Sequence, residues 1–81
     1  MYRKDANISE EQYNNIWTIA SKVAKMIDEY EWVEDCIEAV EKDLGIKIDK
    51  ENEMRTSRAV QLIADGYEKV DEFINYGVTT K

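Results

Sequence analysis

Residues 9–44 read SEEQYNNIWTIASKVAKMIDEYEWVEDCIEAVEKDL, and this stretch decides the fold. It contains neither glycine nor proline, and the whole chain has three glycines and no proline, so helices are favoured over short strands joined by turns. Apolar residues recur every three or four positions along its first half, as on one face of a helix. They are Tyr13, Ile16, Trp17, Ala20, Val23, Ala24, Ile27 and Tyr30.

Two helices are predicted within this stretch, over about residues 9–29 and 31–44. The first begins at Ser9, because the sequence Ser-Glu-Glu-Gln there has the form of a capping box. The second ends at Gly45, a residue suited to a left-handed helix cap. A break around residues 29–32 allows the two helices to pack side by side. One bent helix is the alternative, since no turn signal separates them.

A third helix is predicted over about residues 50–75, with Asp49 as its N-cap. Residues 46–48 form an extended connector before it, and residues 78–81 form a frayed tail. The apolar residues of this third helix follow the same spacing, namely Val60, Ile63, Tyr67, Val70 and Ile74. The fold class is therefore all-α, a small three-helix bundle in a single domain over residues 1–81.

The composition excludes several kinds of chemistry. The chain has no histidine and one cysteine, Cys36, so neither a Ser-His-Asp triad nor a Cys-His pair can form within it. A zinc site is not expected, because its usual ligands amount to one thiol. Cys36 has apolar neighbours at helical spacing and is expected to be a small buried side chain. We expect a protein without catalytic activity, metal or cofactor.

Charge and hydropathy indicate the environment in which the chain works. The net charge is −7, which disfavours direct binding to a nucleic-acid backbone. No stretch approaches the roughly 18 apolar residues of a membrane span, and no signal peptide is recognisable. A chain unable to form an internal disulfide suits a reducing compartment. The sequence predicts a cytoplasmic protein that does not associate with membranes.

The negative charge is concentrated in one segment. Residues 28–43 contain eight acidic residues and one base, Lys42, which accounts for the entire net charge. At about 100° per residue, six of these acids share one helix face, opposite the apolar residues of the second helix. We call this face the acidic strip: Asp28, Glu31, Glu34, Asp35, Glu38 and Glu41. It is either the solvated side of an amphipathic helix or a surface for a basic partner.

Two further features are candidates for binding. Trp32 falls off the centre of the apolar face of the second helix, so we expect it to be exposed or at an interface. Early in the third helix stand two guanidinium and two hydroxyl groups, which could hold a phosphate or pair with nearby acids such as Glu51 and Glu53. These four are Arg55, Thr56, Ser57 and Arg58.

Part of the chain resembles the small phage anti-CBASS and anti-Thoeris sponge proteins, which sequester cyclic nucleotide signals of bacterial immunity. In the first helix the similar residues are Tyr13-Asn14-Asn15-Ile16, Ala20, Val23-Ala24, Met26-Ile27 and Glu29. In the third they are Arg55-Thr56-Ser57-Arg58, Ala59-Val60, Ile63, Gly66 and Ile74. The resemblance implies a homo-oligomer without catalytic activity. It also implies that Tyr13 stacks on a base and that residues 55–58 receive the phosphates.

Two functions therefore stand as hypotheses. The first is a non-enzymatic inhibitor of phage or mobile-element origin that uses the acidic strip and Trp32 to occupy a basic surface of a host defence protein. By size and charge it is comparable to the anti-CRISPR proteins, and its partner could be one that binds nucleic acid. The second is an oligomeric sponge for a cyclic nucleotide. We place the first ahead, because the uncompensated negative charge is the less generic feature.

Overall fold

The computed structural model describes residues 2–27, 32–66 and 70–76. Within these ranges the chain forms α-helices and one short 3-10 helix, and no strand, which confirms the all-α prediction. The predicted tail at residues 78–81 lies outside the described residues. The α-helices are α1, Glu10–Met26; α2, Val33–Leu44; α3, Glu53–Ala64; and α4, Val70–Tyr76.

Helix α1 begins as the sequence predicts. Ser9 is its N-cap, and the Ser9 hydroxyl accepts a hydrogen bond from the Gln12 backbone N–H at 3.1 Å. The Gln12 side chain does not return to the Ser9 backbone as in a full capping box. Its Oε1 instead accepts from the Asp49 N–H at 3.2 Å, which joins the start of α1 to the connector before α3. The cap therefore also positions a distant segment.

Helices α1 and α2 are separate elements. Helix α1 ends at Met26, somewhat before the predicted end, and Trp32 has the extended backbone angles φ −124° and ψ 138° of a helix N-cap. The alternative of one continuous bent helix is therefore wrong. Helix α2 ends at Gly45, whose left-handed φ of 71° and N–H bond to the Glu41 carbonyl confirm the predicted cap.

The predicted third helix over residues 50–75 is not continuous, and this boundary needs correction. Residues 50–52 form the 3-10 helix, α3 follows, and Gly66 takes a left-handed φ of 81° two residues after α3 ends. A helix cannot continue through that conformation, so the chain starts again as α4, which packs against both α3 and α1. The unbroken apolar spacing from Val60 to Ile74 concealed this interruption.

The core lies between α1, α2 and α3 and also includes Val70 and Ile74 of α4. Ile16, Ile19 and Val23 of α1 are fully buried, and α3 presents small side chains to them, Ala59 among them. Two isoleucines outside the helices, Ile8 and Ile48, also belong to the core. Helix α1 has more contacts with α3 than with α2, so α2 is a flanking helix with its outer face in solvent. This placement is what exposes the acidic strip.

Among the described residues, no helix combines the length and apolar character needed to cross a membrane.

Candidate functional site

The acidic strip forms the outer surface of α2. Helix α2 buries Cys36, Ile37 and Val40, the first of them completely, as predicted for its apolar face. Because residues three and four apart in a helix share a face, the carboxylates at intermediate positions point away from this core. Four members of the strip lie in the described residues: Glu34, Asp35 and Glu38 are exposed, and Glu41 is half-buried. Asp28 and Glu31 lie outside the described residues.

The described carboxylates of the strip are not neutralised by nearby bases. Among residues 2–27, 32–66 and 70–76, no Lys or Arg nitrogen lies within 4 Å of a strip carboxylate, and the ion pair found there joins Arg3 to Asp5 at 3.7 Å. Glu34 and Glu38 stand four residues apart, where like charges repel by about 0.2–0.5 kcal/mol. The field of the strip is therefore directed to solvent, and Lys42 and Lys47, which line pockets beside the strip, oppose it from beyond 4 Å.

Glu41 differs from the other members of the strip. Its Oε2 accepts a hydrogen bond from the Ile48 backbone N–H at 2.8 Å. This contact fastens the connector to the last turn of α2 and helps to bury Ile48, which is 1% exposed. A carboxylate with one oxygen already bonded is less available to a partner than those of Glu34 or Glu38. Glu41 is accordingly a structural residue as well as a member of the strip.

Trp32 stands at the start of the strip. It is the N-cap of α2, and 61% of its surface is exposed. This placement agrees with the expectation that Trp32 lies on the surface. The indole makes no side-chain cap to the helix, and Trp32 is not among the apolar residues packed on the core. An exposed aromatic side chain therefore stands directly before the helical turn that carries Glu34 and Asp35.

A narrow groove runs between α2 and α3 beside the strip. Its volume is about 190 Å³, and its apolar floor includes Ile37 and Ile48. Carboxylates from both helices line it, because Glu53 of α3 stands on the other side from Glu34 and Glu38. Lys47 also lines the groove, as does Ser57. The acidic surface therefore extends from α2 toward the start of α3.

The residues of the second hypothesis do not share one surface. Arg55 donates from Nη1 to Asn52 Oδ1 at 2.6 Å and from Nη2 to Asn7 Oδ1 at 2.8 Å. Thr56 is fully buried, and its hydroxyl donates to the Asn52 carbonyl at 2.9 Å. Ser57 is half-buried and Arg58 is exposed. Arg55 is thus held by two amide oxygens, where the sequence suggested acidic partners or a phosphate.

Arg55 lines a cleft near the starts of α1 and α3. This cleft of about 500 Å³ is polar, and its lining includes Asn7, Ser9 and Gln12 as well as the acids Asp49 and Glu51. Two carboxylates beside one guanidinium oppose the entry of an anion. The charge of the cleft lining therefore disfavours a phosphate.

Tyr13 is placed in the core by a hydrogen-bond network between α1 and α4. Its hydroxyl donates to Asp71 Oδ1 at 2.6 Å, and the Trp17 indole N–H donates to the same oxygen at 2.6 Å. The Tyr13 ring is 5% exposed and tilted against the Tyr2 ring, with centroids 5.5 Å apart. The Tyr13 ring is therefore covered by other residues, which does not favour the stacking on a base that the resemblance implies.

The network shifts two pKa values. Burial raises the pKa of Tyr13 to about 12, and the hydrogen bond to the Asp71 carboxylate adds to this increase. Burial alone would raise the pKa of Asp71 as well. Hydrogen-bond donors around that carboxylate, Tyr13 and Trp17 among them, outweigh burial and hold the pKa below its usual value. Tyr13 is therefore neutral and Asp71 charged at neutral pH.

Sequence reasoning missed the role of Asp71 and of Asn75. The Asn75 side chain is fully buried, accepts from the Arg3 backbone N–H at 2.9 Å, and donates to the Asp71 carbonyl at 2.8 Å. Asn75 thus joins the N-terminal segment to α4. The available signal was their spacing: Asp71 and Asn75 lie four residues apart, on the side of α4 that carries Ile74.

Among the described residues, no group of three or more His, Cys, Asp or Glu side chains is arranged to hold a metal ion. Comparison of the chain with protein-family models, with curated proteins and with solved structures gives no match.

Proposed function

We propose that this protein is a non-enzymatic inhibitor that uses the acidic strip of α2 to occupy a basic surface of another protein. The observation that carries the proposal is the exposure of Glu34, Asp35 and Glu38 on one helix face without a base within 4 Å among the described residues. An ordinary solvated helix mixes charges of both signs on its outer face. A surface of one sign is suited to attract a partner of the other.

The strip supports this function through association rate and specificity. Opposite charge accelerates encounter between proteins and orients them before contact. Exposed charges are screened over about 8 Å at physiological ionic strength, so binding should weaken steadily as salt is added. A basic surface that normally binds the phosphates of a nucleic acid is the natural target. The inhibitor would act by occupying that surface, and it needs no catalytic group.

The setting we propose is the cytoplasm of a bacterial host, with a defence protein as the target and a phage or mobile element as the source. The support for this setting is the small size and acidity that the chain shares with inhibitors such as the anti-CRISPR proteins. The cyclic-nucleotide sponge receives less support from the geometry. Tyr13 and Thr56 are buried, and Arg55 already has two amide partners.

The experiment compares two variants with the same change in net charge. The strip variant carries Glu34→Gln, Asp35→Asn and Glu38→Gln. The control variant carries Glu10→Gln, Asp65→Asn and Glu72→Gln, three exposed acids outside α2. Binding of a fluorescent oligo-arginine peptide is measured by anisotropy over a series of salt concentrations.

We expect the strip variant to bind the peptide about tenfold more weakly than wild type, since three exposed charge pairs that each contribute about 0.5 kcal/mol together contribute about 1.5 kcal/mol. The control variant should bind nearly as wild type does. In a pull-down from a bacterial lysate, wild type and the control variant should also retain a protein, and heparin should release that protein. The strip variant should not retain it. Equal loss in both variants would reject the proposal, because it would show that net charge alone matters.

A further inference from the structure

The two tryptophans of the chain differ in their surroundings, and Trp32 is the exposed one. Trp17, the other tryptophan, is half-buried and donates its indole N–H to Asp71 at 2.6 Å. Trp32 is 61% exposed and makes no side-chain cap to α2. An indole is costly to leave in water, and a tryptophan so placed is typical of a binding surface.

The position of Trp32 also contradicts a local rule. The N-cap of a helix favours Ser, Thr, Asp or Asn, because their side-chain oxygens accept hydrogen bonds from the free N–H groups of the first turn. Helix α1 follows this rule with Ser9, whereas α2 has an indole that offers no acceptor. A departure from local preference at an exposed residue outside the core favours a functional constraint at that residue.

The described residues that follow Trp32 in the chain indicate the chemistry of the occupant. Glu34 and Asp35 stand in the first turn of α2 and Glu38 one turn further, all exposed and without a base within 4 Å among the described residues. An aromatic face attracts a cation, and a carboxylate attracts it further. A lysine would satisfy the charge alone. An arginine satisfies both, since its planar guanidinium stacks on an indole and bonds to carboxylates with two N–H groups.

We propose that Trp32 is the anchor of the α2 surface and that it receives an arginine side chain of the partner protein. The guanidinium lies over the indole face, and its N–H groups bond to Glu34 or Asp35. This inference rests on the proposed function and adds to it the identity of the residue that the partner must present. The acidic strip provides the general attraction, and Trp32 provides the selection of arginine over lysine.

The test uses oligo-arginine and oligo-lysine peptides of equal length with wild type, Trp32→Phe, Trp32→Ser and the strip variant. In wild type, oligo-arginine should bind about tenfold more tightly than oligo-lysine and should change the indole emission. Trp32→Phe keeps an aromatic face and should retain most of this preference. Trp32→Ser should lose the preference while its melting temperature stays the same or rises, because serine is a better N-cap.

The outcomes separate this inference from the proposed function. If the strip variant binds weakly but Trp32→Ser retains the arginine preference, the anchor is rejected and the proposed function stands. If the strip variant binds as wild type does, both are rejected. Light scattering is measured in parallel: a dimer in wild type that Trp32→Ser converts to a monomer would mean that a second copy of this chain covers Trp32, which would overturn the inference. Preference lost in Trp32→Ser with a monomeric wild type supports it.

Discussion

The Tyr13 hydroxyl donates to Asp71 Oδ1 at 2.6 Å and so connects α1 to α4, two helices whose contacting residues are 58 positions apart in the chain. Helix α4 has only seven residues, too few to be stable by itself. Its position depends on the burial of Val70 and Ile74 and on this hydrogen bond. The bond joins a neutral donor to a charged acceptor, which makes it stronger than most hydrogen bonds in the molecule.

Tyr13→Phe should therefore lower the free energy of unfolding by about 1.5–3 kcal/mol, since it removes a hydrogen bond to a charged group and keeps the ring. Urea unfolding followed by circular dichroism measures the change. Tyr2→Phe is the matched control, because the Tyr2 hydroxyl donates at 3.0 Å to a neutral carbonyl, that of Ile8. The control should cost about 1 kcal/mol. Equal costs in the two variants would contradict the special strength of the Asp71 bond.

The same residue predicts a loss of stability at alkaline pH. The pKa of Tyr13 is raised from 10.0 to about 12 in the folded protein, first by burial and then by the bond to Asp71. The folded state thus holds this proton more tightly than the unfolded state does. The contribution is complete below pH 10 and is lost as pH rises toward 12. Urea unfolding across this range should show that the free energy of unfolding falls with pH, and that it falls less in Tyr13→Phe than in wild type. An equal fall in both proteins would refute the assignment of this pH dependence to Tyr13.

Gly66 supplies a third prediction. Its φ of 81° is left-handed, and a Cβ built there meets no atom within 4 Å, so a substitution costs backbone strain without a clash. Gly66→Ala should lower stability by about 1–2 kcal/mol. Gly66→Asn should cost less, because asparagine tolerates the left-handed region. Thermal unfolding measures both. If Gly66→Ala is as stable as wild type, the turn after α3 does not depend on the left-handed conformation of residue 66.

Glu41 allows the structural and binding roles of the acidic strip to be separated. Glu41→Gln keeps an oxygen that can accept from the Ile48 N–H and should leave stability almost unchanged, whereas Glu41→Ala should cost about 1 kcal/mol. Glu41→Gln should weaken oligo-arginine binding less than Glu38→Gln does, because one Glu41 oxygen is already bonded. Stability is measured in urea and binding by anisotropy. An equal loss of binding in the two Gln variants would place Glu41 fully in the binding surface.

The features that could be predicted from the sequence are those encoded by neighbouring residues. Helix α1 begins at Ser9 and α2 ends at Gly45 as expected, because a cap depends on a side chain or a φ angle within the same turn. The burial of Cys36 followed from helical spacing, and the exposure of Glu34 and Glu38 followed from the same spacing on the opposite face.

The features that could not be predicted depend on distant parts of the chain. The Tyr13–Asp71 bond requires α4 to be a helix separate from α3, and an apolar spacing that stays in phase across Gly66 gives no sign of that interruption. Burial of Tyr13 likewise depends on other parts of the chain, because the Tyr2 ring packs against it and Asp71 of α4 accepts from its hydroxyl. The partners of Arg55 also escaped prediction, since amide oxygens of Asn7 and Asn52 can replace a carboxylate as acceptors and leave no charge pattern in the sequence.

Arg55 therefore provides a test of whether its amide contacts are structural. The Arg55 guanidinium is planar and reaches Asn52 at 2.6 Å and Asn7 at 2.8 Å. Arg55→Lys keeps the positive charge but provides only a single ammonium group. It should lower the free energy of unfolding by about 1 kcal/mol. Arg58→Lys is the matched control, because Arg58 is exposed, and it should change stability by less than about 0.5 kcal/mol.

Both variants preserve the net charge and lie outside the acidic strip, so oligo-arginine binding should be the same as in wild type. Urea unfolding and peptide anisotropy on the same samples measure the two properties. A stable Arg55→Lys protein would mean that the contacts of Arg55 with Asn7 and Asn52 do not hold the start of α3 to the N-terminal segment. Because an ammonium group cannot bond to both amides with the geometry of a guanidinium, we expect the loss of stability to be confined to Arg55→Lys.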